Sequence, residues 1–347
     1  MSNIKDVALK ANVSIATVSN AFNNPGVVKP ETLIRVREAA DELGYSAGRM
    51  PQSAANCKYG TVGVLVPDIN NPAYSETVKG IEEGLHNGGC SILLFCTGYD
   101  EKKTRDIIEE LQEKAVDGII ICSPWIISAD HEGINRIVIR GLPIVGLNSA
   151  MRVIDRVEND VISGVMQAMK HLTDLGHRRI GFISGDLFNG TIERSACRRF
   201  EAYIASLQEN GIPLIPELIH STGTASYELG RQVMQSWITR KYQMPTAVFA
   251  SRDDIAAGAM SAAGASGIQI PGDLSIVGYA NFDYSKFSNP PLTTIKVQAH
   301  TIGLRAAEML LKRMVNPDSR REHLEVKASL IIRGSTASPP TAGHEQG

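Results

Sequence analysis

The sequence predicts a small all-α N-terminal domain followed by an α/β core of two doubly wound parallel-sheet lobes. Three observations carry that expectation. Residues 3–24 space their apolar side chains at helical intervals and interrupt them once with turn residues. From Thr61 onward, short unbroken apolar runs alternate with helix-length stretches, the pattern of strands covered on both faces by helices. The runs fall into two sets, and a chain of 347 residues is long enough for more than one core.

In the N-terminal domain, Ile4, Val7, Ala8 and Ala11 recur at i, i+3, i+4 and i+7 and line one face of a first helix. Asn12-Val13-Ser14 ends it, because Asn tolerates left-handed backbone and Ser14 is a good N-cap for a second helix. That helix, Ile15 to Asn23, is expected to bury Val18, Ala21 and Phe22 and to turn Ile15, Ala16, Thr17, Ser19 and Asn20 outward. The outward face carries hydroxyls and an amide but no charge. Such a face suits a helix laid in the DNA major groove, where hydroxyls meet phosphate and short side chains meet base edges. Two ordinary amphipathic helices share the same spacing. A third helix over residues 30–43 opens at Pro30, closes before Gly44 and offers Val36, Ala40 and Leu43 to the other two.

Residues 46–60 (SAGRMPQSAANCKYG) read as a linker. Strands are then expected at 61–66, 91–95, 118–121 and 144–147, and in a second set at 180–183, 247–250 and 275–279. Two doubly wound lobes leave a cleft at the carboxyl ends of their strands, where ligands bind.

Composition excludes several classes. No apolar run approaches the ~18 residues of a membrane span, and Met1 leads into the helical stretch without a basic-then-apolar signal pattern. The five cysteines (Cys57, Cys90, Cys96, Cys122, Cys197) form no C-x-x-C pair and mostly lie in apolar runs, so buried thiols, no metal site and no cofactor are expected. The expected compartment is the cytoplasm. Net charge is −2, but residues 1–60 hold seven basic and five acidic residues, a slightly basic head on an acidic body.

The stretch IKDVALKANVSIATVSNAFN (4–23) resembles the helix-turn-helix of the LacI/GalR family of bacterial transcription regulators. The resemblance continues through VVKPET (27–32) and ELGY (42–45), and resumes in VPDINNP (66–72), VDGII (116–120), HLTDLGHRRI (171–180) and PLTTI (291–295), so it covers nearly the whole chain. It implies an N-terminal helix-turn-helix domain at 1–46, a hinge at 47–60 and a periplasmic-binding-protein-like core at 61–335. In that fold the chain crosses between lobes three times. Lobe one is expected over about 61–160 plus 291–320, lobe two over about 161–290 plus 321–335, and 336–347 as a disordered tail. No leucine heptads support a tetramerising coiled coil.

For DNA, the resemblance implicates Lys5, Ser14, Ile15, Ala16, Thr17, Ser19, Asn20, Thr32 and Ala54. Ile15 and Ala16 would touch thymine methyls, Asn20 a base edge, and Thr17, Ser19 and Thr32 phosphates. The hinge departs from the family. Ala54 stands where a minor-groove leucine is usual, and Pro51 where an alanine is usual. Proline inside a short helix costs about 3 kcal/mol outside the first turn, and alanine is too short to unstack a base step, so a shorter hinge helix or a less bent DNA is expected.

For a small-molecule effector, the resemblance implicates Asn71, Ala73 and Tyr74 after the first strand, Ser123 after the third and Asn148 after the fourth. In lobe two it implicates Arg199, together with Arg252, Asp253 and Ala280. Arg252-Asp253 replaces the family's Asn-Asp, and Ala280 replaces an Asp, which removes one anion and adds one cation. Two readings stand. Arg199 and Arg252 together hold an anionic effector such as a phosphorylated sugar or organic acid, or Arg252 points outward or pairs with Asp253 or Asp254 and the effector is neutral.

The function implied is a sequence-specific DNA-binding regulator, a repressor acting as a homodimer on near-palindromic double-stranded operator DNA and controlled by a small molecule. The competing classes are a solute-binding protein with the same core and an enzyme. No G-x-G-x-x-G after the first strand, G-x-S-x-G, H-E-x-x-H or P-loop is present, and His177, just before a strand, reads as structural.

Overall fold

The computed structural model describes residues 4–23, 25–42, 59–113, 116–122, 131–149, 151–185, 194–221, 223–240 and 244–340. The head holds three helices, α1 (Ile4–Lys10), α2 (Ile15–Asn23) and α3 (Pro30–Glu42). Asn12 takes left-handed backbone (φ 51°) at the turn. Ser14 caps α2, its Oγ accepting the Thr17 N–H at 3.0 Å. Val7, Ala8, Ala11, Val18, Ala21, Val36, Ala39 and Ala40 form the head's own core. Mostly alanine and valine, it buries little apolar area, and Lys10–Glu42 (2.5 Å) adds an exposed ion pair between the first and third helices.

The core contains two six-stranded sheets. Sheet one runs β11-β5-β4-β3-β1-β2 and sheet two β12-β10-β9-β8-β6-β7. Here β1 is Thr61–Val66, β2 Ser91–Cys96, β3 Gly118–Ile121, β4 Ile144–Leu147, β5 Asp155–Asp160, β6 Ile180–Ser184 and β7 Ile219–Ser221. Next come β8 Ala247–Ala250, β9 Ser275–Ala280, β10 Thr293–Lys296, β11 His323–Lys327 and β12 Ser329–Ile331. Every pairing is parallel except β10 with β12. All seven strands expected from apolar runs are present. The edge strand β2 departs from the expectation of burial on both faces, since Leu93 and Leu94 are each 36% exposed.

The chain crosses between the sheets after β5, after β10 and after β11. The last two crossings differ from the expected boundaries. β10 still belongs to sheet two, so the return to lobe one follows Lys296 rather than Pro291, and β11 belongs to sheet one, so residues 323–327 are not part of lobe two. A buried ion pair fixes this return. Arg313, near the end of the helix Ala299–Val315, forks onto Asp155 of β5 (Nε–Oδ2 2.7 Å, Nη2–Oδ1 2.9 Å), and Asp155 Oδ1 also accepts the Glu322 N–H at 2.8 Å. The turn that leads into β11 is thereby tied to β5. The same helix lies directly on Pro72–Asn87 (α4), where a Cβ on Gly80 or Gly303 would come within 2.0 Å of the carbonyl oxygen of His300 or Thr77. Glycine permits that approach.

The tail expected to be disordered from residue 336 is placed by the structure through residue 340, together with Ser335 before it. Ser335 is fully buried, its Oγ donating to the Ile276 carbonyl at 2.6 Å and accepting the Thr293 N–H at 2.8 Å. His177 holds the next stretch, with Nε2 donating to the Ala337 carbonyl at 2.8 Å and Nδ1 3.0 Å from the Thr246 hydroxyl. Burial lowers the His177 pKa, which favours the neutral ring this bonding uses. Small polar residues that cannot build a core can still satisfy buried groups at a sheet end. The tail beyond residue 340 lies outside the described residues.

Candidate functional site

The uncharged face of α2 is open to solvent. Ile15 is 46% exposed, Ala16 and Asn20 are exposed, and Thr17 and Ser19 are half-buried. Ser14 is exposed, but its hydroxyl serves the cap and lies 2.8 Å from the Thr17 hydroxyl. Lys5 is exposed on α1, and Thr32 is half-buried in the first turn of α3. The α2 face thus presents short polar and apolar groups to solvent. Ala54 and Pro51 lie outside the described residues.

The second site is a cavity between the two sheets, at the carboxyl ends of their strands, where doubly wound folds bind ligands. Asn71, Ala73, Tyr74, Asn148, Arg199, Arg252 and Ala280 all line it, as expected. Ser123 lies outside the described residues. Counted out through its open mouth into solvent, the space is about 750 Å³. Local backbone sets several of these side chains. Asn71 caps α4, with Oδ1 accepting the Ala73 N–H at 3.0 Å. Asn148 takes left-handed backbone (φ 52°), and its Oδ1 accepts the Asn159 N–H at 3.0 Å, which leaves its amide N–H groups for a ligand.

The arginines are not equivalent. Arg199 is 4% exposed, with its guanidinium carbon 4.6 Å from the centre of the Tyr279 ring, a cation–π contact at a buried position. Arg252 forks onto Asp254 (Nε–Oδ1 3.0 Å, Nη2–Oδ2 2.6 Å), so its charge is balanced within lobe two. Arg252 therefore both lines the cavity and pairs with a neighbouring aspartate.

Asp253 corrects the expectation of direct contact. It does not line the cavity. It is fully buried, Oδ1 accepting the Thr294 hydroxyl at 2.5 Å and Oδ2 the Phe282 N–H at 2.7 Å. Burial pushes its carboxyl up to about 6, against the opposing pull of those two hydrogen bonds. What it holds is the loop after β9, where Ala280 (φ 107°) and Asn281 (φ 55°) take left-handed backbone and Phe282 turns into the cavity wall. A Cβ at Gly278 would strike Asp253 Oδ1 at 2.2 Å, so glycine makes room for the brace.

Sequence reasoning missed Asn159, Tyr279 and Phe282 as lining residues. Asn159 Nδ2 donates to the Tyr279 hydroxyl at 2.6 Å, and Asn159 Oδ1 is buried with no hydrogen-bond partner among the described residues. A buried acceptor in a cavity wall is a position for a ligand donor or a water. The Gly278-Tyr279-Ala280 segment was the signal for Tyr279, but its ring reads as core from sequence. Cys122 also lines the wall, and burial raises its thiol pKa far above the ordinary range, so it acts as an apolar group there. Among the described residues no group of three or more His, Cys, Asp or Glu side chains could hold a metal, and no helix is long and apolar enough to cross a membrane.

Comparison with known proteins bears on both sites. Residues 3–47 match the model of the bacterial regulatory proteins of the lacI family, and residues 169–336 match that of the periplasmic binding protein-like domain. The chain is 35% identical over 344 residues to the HTH-type transcriptional repressor CytR of Escherichia coli K12, covering 97% of each chain. The lac repressor dimer bound to operator and the anti-inducer ONPF superposes with a TM-score of 0.80 at 26% identity, over 97% of this chain and 99% of that one. The complex of the transcriptional regulator CelR with cellobiose gives 0.70 at 26% identity, over 96% and 100%.

Proposed function

The chain belongs to the lacI family of bacterial regulatory proteins, and on that premise we propose how its two sites work together as an effector-controlled, DNA-binding repressor. The observation that carries the reading is the pairing, in one chain, of an exposed uncharged helix face with a ligand-sized cleft between two lobes. A plain solute-binding protein would have no use for the head.

In this reading the head lays α2 in the major groove, Ile15 and Ala16 touching thymine methyls and Asn20 a base edge. Thr17, Ser19 and Thr32 reach phosphates, and Lys5 adds a charge contact. The protein acts as a homodimer, so its operator is near-palindromic. It works in the cytoplasm, and nothing in this role calls for catalysis.

The effector sits in the cleft and is a sugar-like molecule or an anionic derivative of one. Because Arg252 is forked onto Asp254, the cation best placed to hold the ligand is Arg199, which meets one strong acceptor, a carboxylate, phosphate oxygen or hydroxyl. Asn159 Oδ1 takes a donor from the same molecule. Binding changes the relation of the lobes, and so the placement of paired heads, to the extent that the ligand prefers one arrangement.

The test is binding of the full chain to fragments of its own genome, followed by sequencing of what is retained. A few sites sharing a near-palindrome are expected, with loss of enrichment in Ile15→Glu. Uniform, sequence-independent retention by both proteins would defeat the reading.

A further inference from the structure

Two consecutive residues of β5 in lobe one face two consecutive residues of the lobe-two helix Arg194–Glu209. Successive strand residues point to opposite faces. Asn159 lines the cleft with Arg199. Glu158 turns the other way and meets Arg198, with Arg198 Nη1 3.1 Å from Glu158 Oε2. The other end of the same guanidinium, Nη2, lies 3.6 Å from Glu325 Oε1 on β11.

Register explains why this contact matters. Glu158 and Glu325 are direct partners in the β5–β11 pairing, so two carboxylates stand side by side on one face. Like charges so placed repel. The Glu158 side chain is 6% exposed, so water screens it poorly. Within lobe one the Arg156 guanidinium lies further away, at 3.8 Å from Glu158, and the His323 ring at 3.6 Å carries charge only when protonated. The cation that bridges both carboxylates comes from lobe two. Separating the lobes at this edge would leave the two glutamates facing each other without it.

We propose that Glu158, Glu325 and Arg198 form an interlobe clasp that positions Arg199 and Asn159 for effector binding and sets the resting closure of the cleft. Arg198 and Glu158 are positioning residues that act through their immediate neighbours and do not touch the ligand. The clasp holds whatever the effector is, so it does not depend on the identity proposed above. It depends on charge, so salt loosens it.

Hydrogen exchange of the full chain, read by mass spectrometry without ligand or DNA, tests this. Arg198→Met keeps an unbranched apolar stem at the position and removes its charge. It is expected to raise exchange roughly three- to tenfold in peptides over 155–160, 194–200 and 275–282, leaving peptides over 61–66 and 247–250 at wild-type rates. Arg198→Lys keeps the charge and is expected to stay within about twofold of wild type. Wild-type exchange in the three peptides should rise as salt goes from about 0.05 M to about 1 M, and that of Arg198→Met should not. Glu325→Gln, at an exposed position that folding tolerates, should show a smaller rise in the same peptides and decides the matter if Arg198→Met does not fold. Equal exchange in Arg198→Met and wild type, equal effects of Met and Lys, or a rise spread evenly over both lobes would overturn the clasp.

Discussion

Asn159 of lobe one donates its side-chain amide to the hydroxyl of Tyr279 of lobe two across 2.6 Å, inside the cleft. The Tyr279 ring also lies under the Arg199 guanidinium, so one aromatic side chain links a lobe-one amide to the buried cation of lobe two. Tyr279→Phe keeps the ring and removes the hydroxyl. The Asn159 amide then loses its partner in a buried site, at a cost of about 1–3 kcal/mol. Urea unfolding should show that loss, with the far-ultraviolet circular dichroism of the folded state unchanged.

Asp253 gives the protein a pH dependence of known sign. Its folded-state pKa is raised to about 6 from an ordinary 3.8, so the native state binds more protons than the unfolded chain between those values. The stabilising contribution is fully present below the unfolded value and is lost as pH rises through the folded one, to a total of roughly 3 kcal/mol. Wild-type stability measured from about pH 4 to about pH 7 should carry this downward component. Its absence from the difference between wild type and Asp253→Asn would contradict the assignment.

At the contact of α4 with the helix Ala299–Val315, Gly303→Ala would drive a methyl to 2.0 Å from the Thr77 carbonyl oxygen. A helix backbone cannot give way as a side-chain end can. The substitution should cost about 3 kcal/mol or more, seen as a drop in Tm of several degrees or as insoluble protein. A change of a degree or less would mean that the helices stand further apart.

The sequence was most informative where local chemistry and tertiary environment agree. Asn12 and Ser14 fixed the turn and cap of the head, and continuous apolar runs located seven strands, six of them buried and the edge strand β2 half-open. It was least informative where polar residues are buried by distant partners. In β5, Asp155 is neutralised by Arg313 and Glu158 by Arg198, so DRVEND folds as an interior strand without looking like one. Asn159 was missed with it. Residues 335–337 are held by Ile276, Thr293 and His177, all at least 40 residues earlier, which no local reading of STASPP reveals. Arg252 was rightly placed at the cleft and Asp253 was not, because composition could not say that Asp254 would pair with the first and that Thr294 and the Phe282 backbone would bury the second.

A small molecule in the cleft should change the hold of the head on DNA. The most direct test titrates the operator recovered from the genomic selection, with and without a ligand found by thermal shift among neutral sugars, sugar phosphates and organic acids. In wild type the ligand is expected to change operator Kd by about 5- to 150-fold, whereas Arg199→Ala should bind the operator normally but no longer respond. Identical operator Kd values with the wild-type cleft empty and saturated would contradict effector control.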